Sequence, residues 1–341
     1  MKKFLMIMAV LCIYATIPSQ TIAQINAQEF FETDSILHCK LNMDIGKYIR
    51  SKTKPEYLPA TFTCNIADST ITEEIRVEAR GNMRRQICNM PPMKMNFHNT
   101  TSPTLYPLGS LKMVSPCFDN NTYDQLLLKE YLIYKMYNLI TEKSFRVRLL
   151  NITYADSEEG KKPLALHAFF IEDGKALARR NDCNDLKDLT LHSESTDRDQ
   201  MTLVALFEYM IGNTDWGVWK NHNAILIGSV KDSTARPFVI PYDFDYAGLV
   251  NAGYAVPTEG LDIENVQQRY YLGFERTPEE LNIAISIFNA HKDSIYTLIN
   301  NFDLLTKRNR EEMIGYLGTF YKIISDKREV KTYFIDGARK Q

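Results

Sequence analysis

The chain has 341 residues, 45% hydrophobic and 24% charged, a balance that excludes a disordered or low-complexity protein. Lys and Arg number 40 against 42 Asp and Glu, a net charge of −2, so nothing electrostatic argues for a nucleic-acid partner. Composition predicts a folded protein with a real core and says nothing about chemistry.

The first segment reads as an address. Lys2 and Lys3 precede the apolar run Phe4 to Ile17, and Thr21 and Ala23 stand as small residues before Gln24. This is the three-part pattern of a secretory signal peptide, predicting cleavage between Ala23 and Gln24 and export to the periplasm or beyond. The run is too short to span a bilayer comfortably. Cys12 follows the large Leu11, which does not suit a lipid-attachment cysteine. No later stretch has the length and apolarity of a membrane helix, so the expectation is no membrane span after cleavage. The cysteines after residue 23 are Cys39, Cys64, Cys88, Cys117 and Cys183, without C-x-x-C spacing, which argues against a zinc site. Cys39 and Cys64, on neighbouring predicted strands, either pair or remain buried thiols.

From Ser35 to Phe97 the pattern is mostly strand. "SILHCKLNMD" and "YLPATFTCNI" flank a basic turn, "GKYIRSKTKPE". In "EEIRVEARG", Ile75, Val77 and Ala79 alternate with Arg76, Glu78 and Arg80, and in "PPMKMNF" Met93, Met95 and Phe97 oppose Lys94 and Asn96. A short strand is predicted at Leu111 to Val114, a long helix over about Tyr123 to Ile140, then the strands "FRVRLLNITYA" and "LALHAFFIE". The second half reads as mainly helical. Asp199 to Ile211 carries the stripe Leu203, Phe207 and Met210; two short strands, "NAILIG" from Asn223 and "PFVIPY" from Pro237, flank a loop. Thr277-Pro278-Glu279-Glu280 supplies an N-cap, an N1 proline and a capping-box glutamate for a helix to about Tyr296, and a last helix runs from about Arg308 to Ile324.

The densest polar pattern is "GNTDWGVWKNHNAILIG" followed by "PYDFDYAG". A helix ends at a turn carrying Asp215; Asn223 stands directly before one strand, and Asp243 and Asp245 follow the next. Phosphoryl transfer needs a carboxylate to orient or deprotonate the acceptor hydroxyl and a few hard oxygen donors to hold magnesium against nucleotide phosphates. Asp215 suits the first role; Asn223, Asp243 and Asp245 suit the second, with Asn221 a rival to Asn223.

Upstream, Lys94 is a cation between apolar strand neighbours, and Glu130 shares a helical face with Leu126, Ile133 and Tyr137. A buried carboxylate requires a partner. A strand lysine paired with a helix glutamate is how protein kinases position the lysine that contacts nucleotide phosphates, so a Lys94–Glu130 pair is expected, with a nearby arginine as the alternative partner of Glu130. Arg80, Arg84 and Arg85 around Gly81 have guanidinium forks that suit phosphate oxygens, although "ARGNMRRQ" is neither a Walker loop nor a G-x-G-x-x-G loop, and a basic solvated hairpin is the commoner form of such a segment.

These segments, "RGNMRR", "PPMKMNF" before "LLLKEYLIYKMYNL", and "GNTDW…HN…YDFDYAG", resemble the spore coat protein H (CotH) kinase family over about Arg76 to Gly248. The resemblance implies an atypical protein-kinase-like fold and phosphorylation of exported protein substrates with ATP and Mg²⁺. Carried over, Asp215 looks like the catalytic aspartate, Asn223 and Asp243 like metal ligands, and Lys94 with Glu130 like the nucleotide-positioning pair. Asp245 stands where a standard kinase has the glycine of D-F-G, and Asp215 and Asn223 are farther apart than in the ordinary kinase loop.

The expectation is thus an α+β protein of two lobes: a signal peptide over 1–23, a β-rich nucleotide-binding lobe over 24–172 that includes the long helix, and a mainly helical catalytic lobe over 173–341. Two alternatives stay open. One is an inactive pseudokinase-like binding module using the cleft or the "WGVW" loop; the other is a metal-dependent hydrolase built on Asp215, Asp243 and Asp245.

Overall fold

The structure, a computed structural model, describes residues 27–66, 69–158, 160 and 162–340. The signal segment expected at 1–23 lies outside the described residues.

The first half is β-rich. After a short helix α1 (Ala27–Glu32) come β1 (Leu37–Met43), α2 (Ile45–Ser51), β2 (Leu58–Ile66), β3 (Ser69–Ala79), α3 (Met83–Ile87), β4 (Met93–Asn96) and β5 (Ser110–Val114). The long helix α4 (Asn121–Ile140) precedes β6 (Val147–Asp156) and β7 (Leu164–Ile171). These seven strands close into a barrel in the order β1-β2-β3-β4-β5-β7-β6, with β1 parallel to β6 at the seam. Closure removes both sheet edges. Alternate residues fill the interior: Leu41, Met93, Met95 and Met113 point inward, and the rings of Phe62, Phe97 and Phe170 meet edge to face.

The second half is mainly helical. It holds α5 (Gly174–Arg180), β8 (Cys183–Asp185), α6 (Arg198–Ile211), β9 (Ala224–Ser229), β10 (Phe238–Pro241), α7 (Pro278–Asn300), α8 (Lys307–Ser325) and α9 (Lys327–Val330). The last three strands form a small antiparallel sheet in the order β10-β9-β8. Thr277 closes the capping box with Glu280 that its spacing predicts. The α4 helix packs with this half: Tyr137 meets Phe207 at 4.3 Å between ring centroids and Tyr134 meets Phe244 at 4.7 Å. The barrel and the helical part each have their own apolar cluster. Among the described residues no helix is long and apolar enough to cross a membrane.

Three local features differ from the sequence reading. The segment expected as a basic turn contains α2, because the Asp44 side chain accepts from the Lys47 N–H at 2.6 Å and caps it. The basic "NMRRQI" segment is helical at α3 rather than a solvated hairpin. A disulfide joins Cys88 to Cys117, while Cys39 and Cys64, register partners on β1 and β2, are buried free thiols.

Candidate active site

The α6 helix delivers Asp215. Its end is turned by Gly212 at φ 70°, whose N–H donates to the Tyr209 carbonyl at 3.2 Å, while the Asn213 N–H reaches back to the Glu208 carbonyl at 2.8 Å. A side chain at Gly212 would collide with the Tyr316 hydroxyl, so the turn requires glycine twice over. Asn213 Oδ1 then accepts from the Asp215 N–H at 3.0 Å. From Asp215 the chain makes a small loop closed by reciprocal hydrogen bonds between Gly217 and His222, both 2.9 Å. It returns at Asn223, directly before β9.

The pairing of β9 with β10 continues one step beyond the strands, where the Tyr242 N–H donates to the Asn223 carbonyl at 2.9 Å. Strand neighbours lie about 4.8 Å apart, which sets Asn223 beside the chain that carries Asp243. Asn223 has φ 50° and Asp243 φ 66°, both in the left-handed region. Asn and Asp tolerate that region better than other side chains, and such strain concentrates at functional sites. The Asp243 N–H donates to the Tyr134 hydroxyl at 2.8 Å, fixing this turn to α4.

Asp215, Asn223, Asp243 and Asp245, from three segments, line one cavity of about 460 Å³ together with Arg80, Arg84, His222 and Tyr242. The Asp215 carboxylate is partly exposed and held from two sides. Asn223 Nδ2 donates to its Oδ2 at 3.1 Å and to its carbonyl at 2.7 Å; His222 Nε2 lies 2.7 Å from its Oδ1. His222 has no role in the sequence reading; its place next to Asn223 is the signal that could have found it.

The other expected residues sort differently. Lys94 does not pair with Glu130. It stands opposite Glu78 across the β3–β4 ladder, 3.5 Å from that carboxylate, with its side chain 41% exposed. The reason is topological: Lys94 is on the outer face of the barrel, and Glu130 is buried in the helical part. Glu130 instead faces Arg84 at 3.7 Å, and Arg84 is equally close to Asp245. Burial pushes the Glu130 carboxyl well above its usual range, with the Asp245 charge adding to the effect and Arg84 opposing it. Burial also raises Asp245, to about 6, with Asp243 adding and Arg84 opposing. Arg84 is engaged by two carboxyl groups, while Asp245 is taken up by Arg84 and by the Tyr254 hydroxyl at 2.9 Å. Asn221 also lines the cavity, but its Nδ2 anchors the loop to the Lys187 and Leu189 carbonyls.

Two cations remain for an anion. Arg80 lines the cavity and makes no side-chain ion pair among the described residues. Lys112, on β5 next to Lys94 in register, lies over the Tyr242 ring at 4.4 Å and is mostly buried. Burial, with Arg80 adding and Asp243 and Asp173 opposing, lowers its ammonium to about 8. Lys112 thus carries a desolvated ammonium without an ion pair among the described residues, on the strand behind Tyr242 and not on the cavity lining itself.

The donor set fits a hard divalent cation. With Nδ2 spent on Asp215, Asn223 presents Oδ1, and the Asp243 carboxylate has no hydrogen-bond or ion-pair partner among the described residues. Among those residues no three His, Cys, Asp or Glu side chains gather as a protein cage for a metal. Magnesium keeps much of its water and takes one or two protein oxygens plus substrate phosphates; Asn223 and Asp243 supply such a pair.

No family model matches the chain, and no curated protein does. Among solved structures it is similar to the proinflammatory kinase CtkA of Helicobacter pylori, at 10% identity, over 82% of this chain and 97% of that one, with a TM-score of 0.39. At that score and identity the likeness says nothing of this chain's reaction.

Proposed function

We propose that the protein is an exported, two-lobed, kinase-like phosphotransferase of CotH type that moves a phosphoryl group from Mg-ATP to a protein hydroxyl. The observation that carries this reading is the convergence of Asp215, Asn223 and Asp243 on one cavity with Arg80 at its wall and Lys112 behind Tyr242. Asp215 orients the acceptor hydroxyl and takes its proton as the hydroxyl oxygen bonds to the γ-phosphorus and the bond to the β–γ bridging oxygen breaks, releasing ADP. Asn223 fixes the Asp215 carboxylate through Nδ2, which leaves Oδ1 as its donor for the cation. Asp243 is the carboxylate ligand there, and Arg80 and Lys112 hold the phosphates. When bound, magnesium neutralises charge on the phosphate oxygens. Arg84, Glu130 and Asp245 form a buried strut beneath the site. In this reading Lys112 takes the place that the sequence pattern assigns to Lys94.

The hydrolase alternative needs Asp245 as a working carboxylate, and Asp245 is occupied by Arg84 and Tyr254. The binding-module alternative differs from the kinase only in turnover. Thermal unfolding with Mg-ATP against Mg²⁺ alone tests the nucleotide site, because a ligand that binds only the native state raises its midpoint, and label transfer separates the two readings. A rise with Mg-ATP plus label transfer to a co-exported protein is expected; a rise without transfer makes the chain a binding module, and no rise overturns the nucleotide site.

A further inference from the structure

We infer that Glu208 is a positioning residue for Asp215, acting through the side chain of Asn213. Glu208 sits in the last turn of α6, is 1% exposed, and is the one carboxylate among the described residues with both oxygens buried and without a hydrogen bond. Asn213 is equally buried, and its Nδ2 is likewise without a hydrogen bond. The helix-ending turn folds the two together, since the Asn213 N–H donates to the Glu208 carbonyl at 2.8 Å.

The chemistry of the asparagine amide makes the arrangement directional. Its oxygen is committed to the Asp215 N–H at 3.0 Å, so its NH₂ must point away from Asp215. A carboxyl offers that NH₂ an acceptor in either protonation state. Consistent with this, burial raises the Glu208 carboxyl well above its usual range, and the Asn213 amide, near it although outside full hydrogen-bond geometry, opposes the rise. Were the wall apolar, the NH₂ would face hydrocarbon at a cost, and the amide would have less reason to hold the orientation that fixes Asp215. A buried carboxyl on the otherwise apolar second half of α6 is expensive for stability; holding the turn two residues before Asp215 is a use that accounts for it.

The kinetic side of this inference rests on the proposed phosphotransfer; the structural side does not. The test compares the full chain with Glu208→Leu and Glu208→Gln. Glu208→Leu should fold, with a melting point at or above the wild type. Its Asp215 amide should exchange hydrogen about tenfold faster, a local loosening without global unfolding. Its kcat should fall about tenfold with the nucleotide KM little changed, as small misplacement of a catalytic group produces. Glu208→Gln, which still presents an oxygen to Asn213, should restore both. If Glu208→Leu leaves the Asp215 amide protected, or Glu208→Gln behaves as Glu208→Leu does, Glu208 does not position Asp215. If the wild type transfers no phosphate but the exchange pattern holds, the positioning stands and the proposed reaction fails.

Discussion

Asn223 holds Asp215 at two points, its Nδ2 lying 2.7 Å from the Asp215 carbonyl and 3.1 Å from the carboxylate. One amide thus ties the end of the α6 turn to the start of β9, and Asn223 lines the same cavity as Asp243. The positive φ values at Asn223 and Asp243 show that the backbone is bent to achieve this.

From that coupling, Asp215→Ala should cost about 10²–10⁴-fold in transfer, the usual range for a general base. Nucleotide binding should be nearly intact, since Asp243 and the cations are untouched. Asp243→Ala should lose the Mg²⁺-dependent part of nucleotide binding itself. Transfer assays and calorimetric titration with Mg-ATP read the two effects separately. Asp215→Ala transferring as well as the wild type overturns the assignment.

Lys112 and Lys94 divide the nucleotide-binding expectation between them. Lys112→Met should raise the nucleotide KM by about 10–100-fold, the worth of one charge-assisted hydrogen bond. Lys94→Ala removes a half-exposed pair with Glu78 and should change stability by about 0–1 kcal/mol, with KM unchanged. The opposite ranking returns the role to Lys94.

What the sequence shows of this protein depends on the range of the interaction. The α7 capping box, the alternation in β3 and β4, and the placement of Asn223 and Asp243 at strand ends are local and readable. The barrel seam is not, because Leu37 pairs with Leu150 across more than a hundred residues. The same limit separates Lys112 from Lys94: alternation puts both on the outer face, and only Tyr242, from the far half of the chain, buries one of them. It also hides the partner of Glu130. The helical stripe marks it as a buried carboxylate, and the arginine that meets it comes from α3, a segment whose helix has no periodic signature in five residues.

Arg84 is buried between Glu130 and Asp245, so its loss leaves two carboxyls buried without a cation. Arg84→Met should destabilise by about 3–5 kcal/mol, and adding Glu130→Gln should recover part of that. Urea unfolding of the single and double variants gives the comparison. An Arg84→Met chain as stable as the wild type removes the strut.

The Cys88–Cys117 bridge ties the end of α3, which carries Arg84, to the segment leading into α4, which carries Glu130. The loop it closes predicts about 3–4 kcal/mol of stabilisation through restriction of the unfolded chain. Cys88→Ser should lower the unfolding midpoint accordingly, and reductant should lower the wild type to the same value. Insensitivity of the wild type to reductant would mean that the bridge does not form.

Glu208 sets a pH dependence whose sign follows from its burial. Its carboxyl is raised in the folded chain, chiefly by desolvation, above the unfolded value of about 4.3. The folded state therefore binds the proton more tightly. The stability contributed by that protonation is fully present below the unfolded value, and it is lost as pH rises through the raised folded one. Glu208→Gln has no proton to lose at this position. Relative to the wild type, it should gain stability steadily as pH increases from about 4 upward, by about 1.4 kcal/mol per unit until the folded group ionises. Urea unfolding of both proteins across that range measures the difference, which cancels every other titrating group to first order. A constant difference across the range would mean that Glu208 ionises alike in the folded and unfolded chains, and that its burial is relieved by a contact other than Asn213.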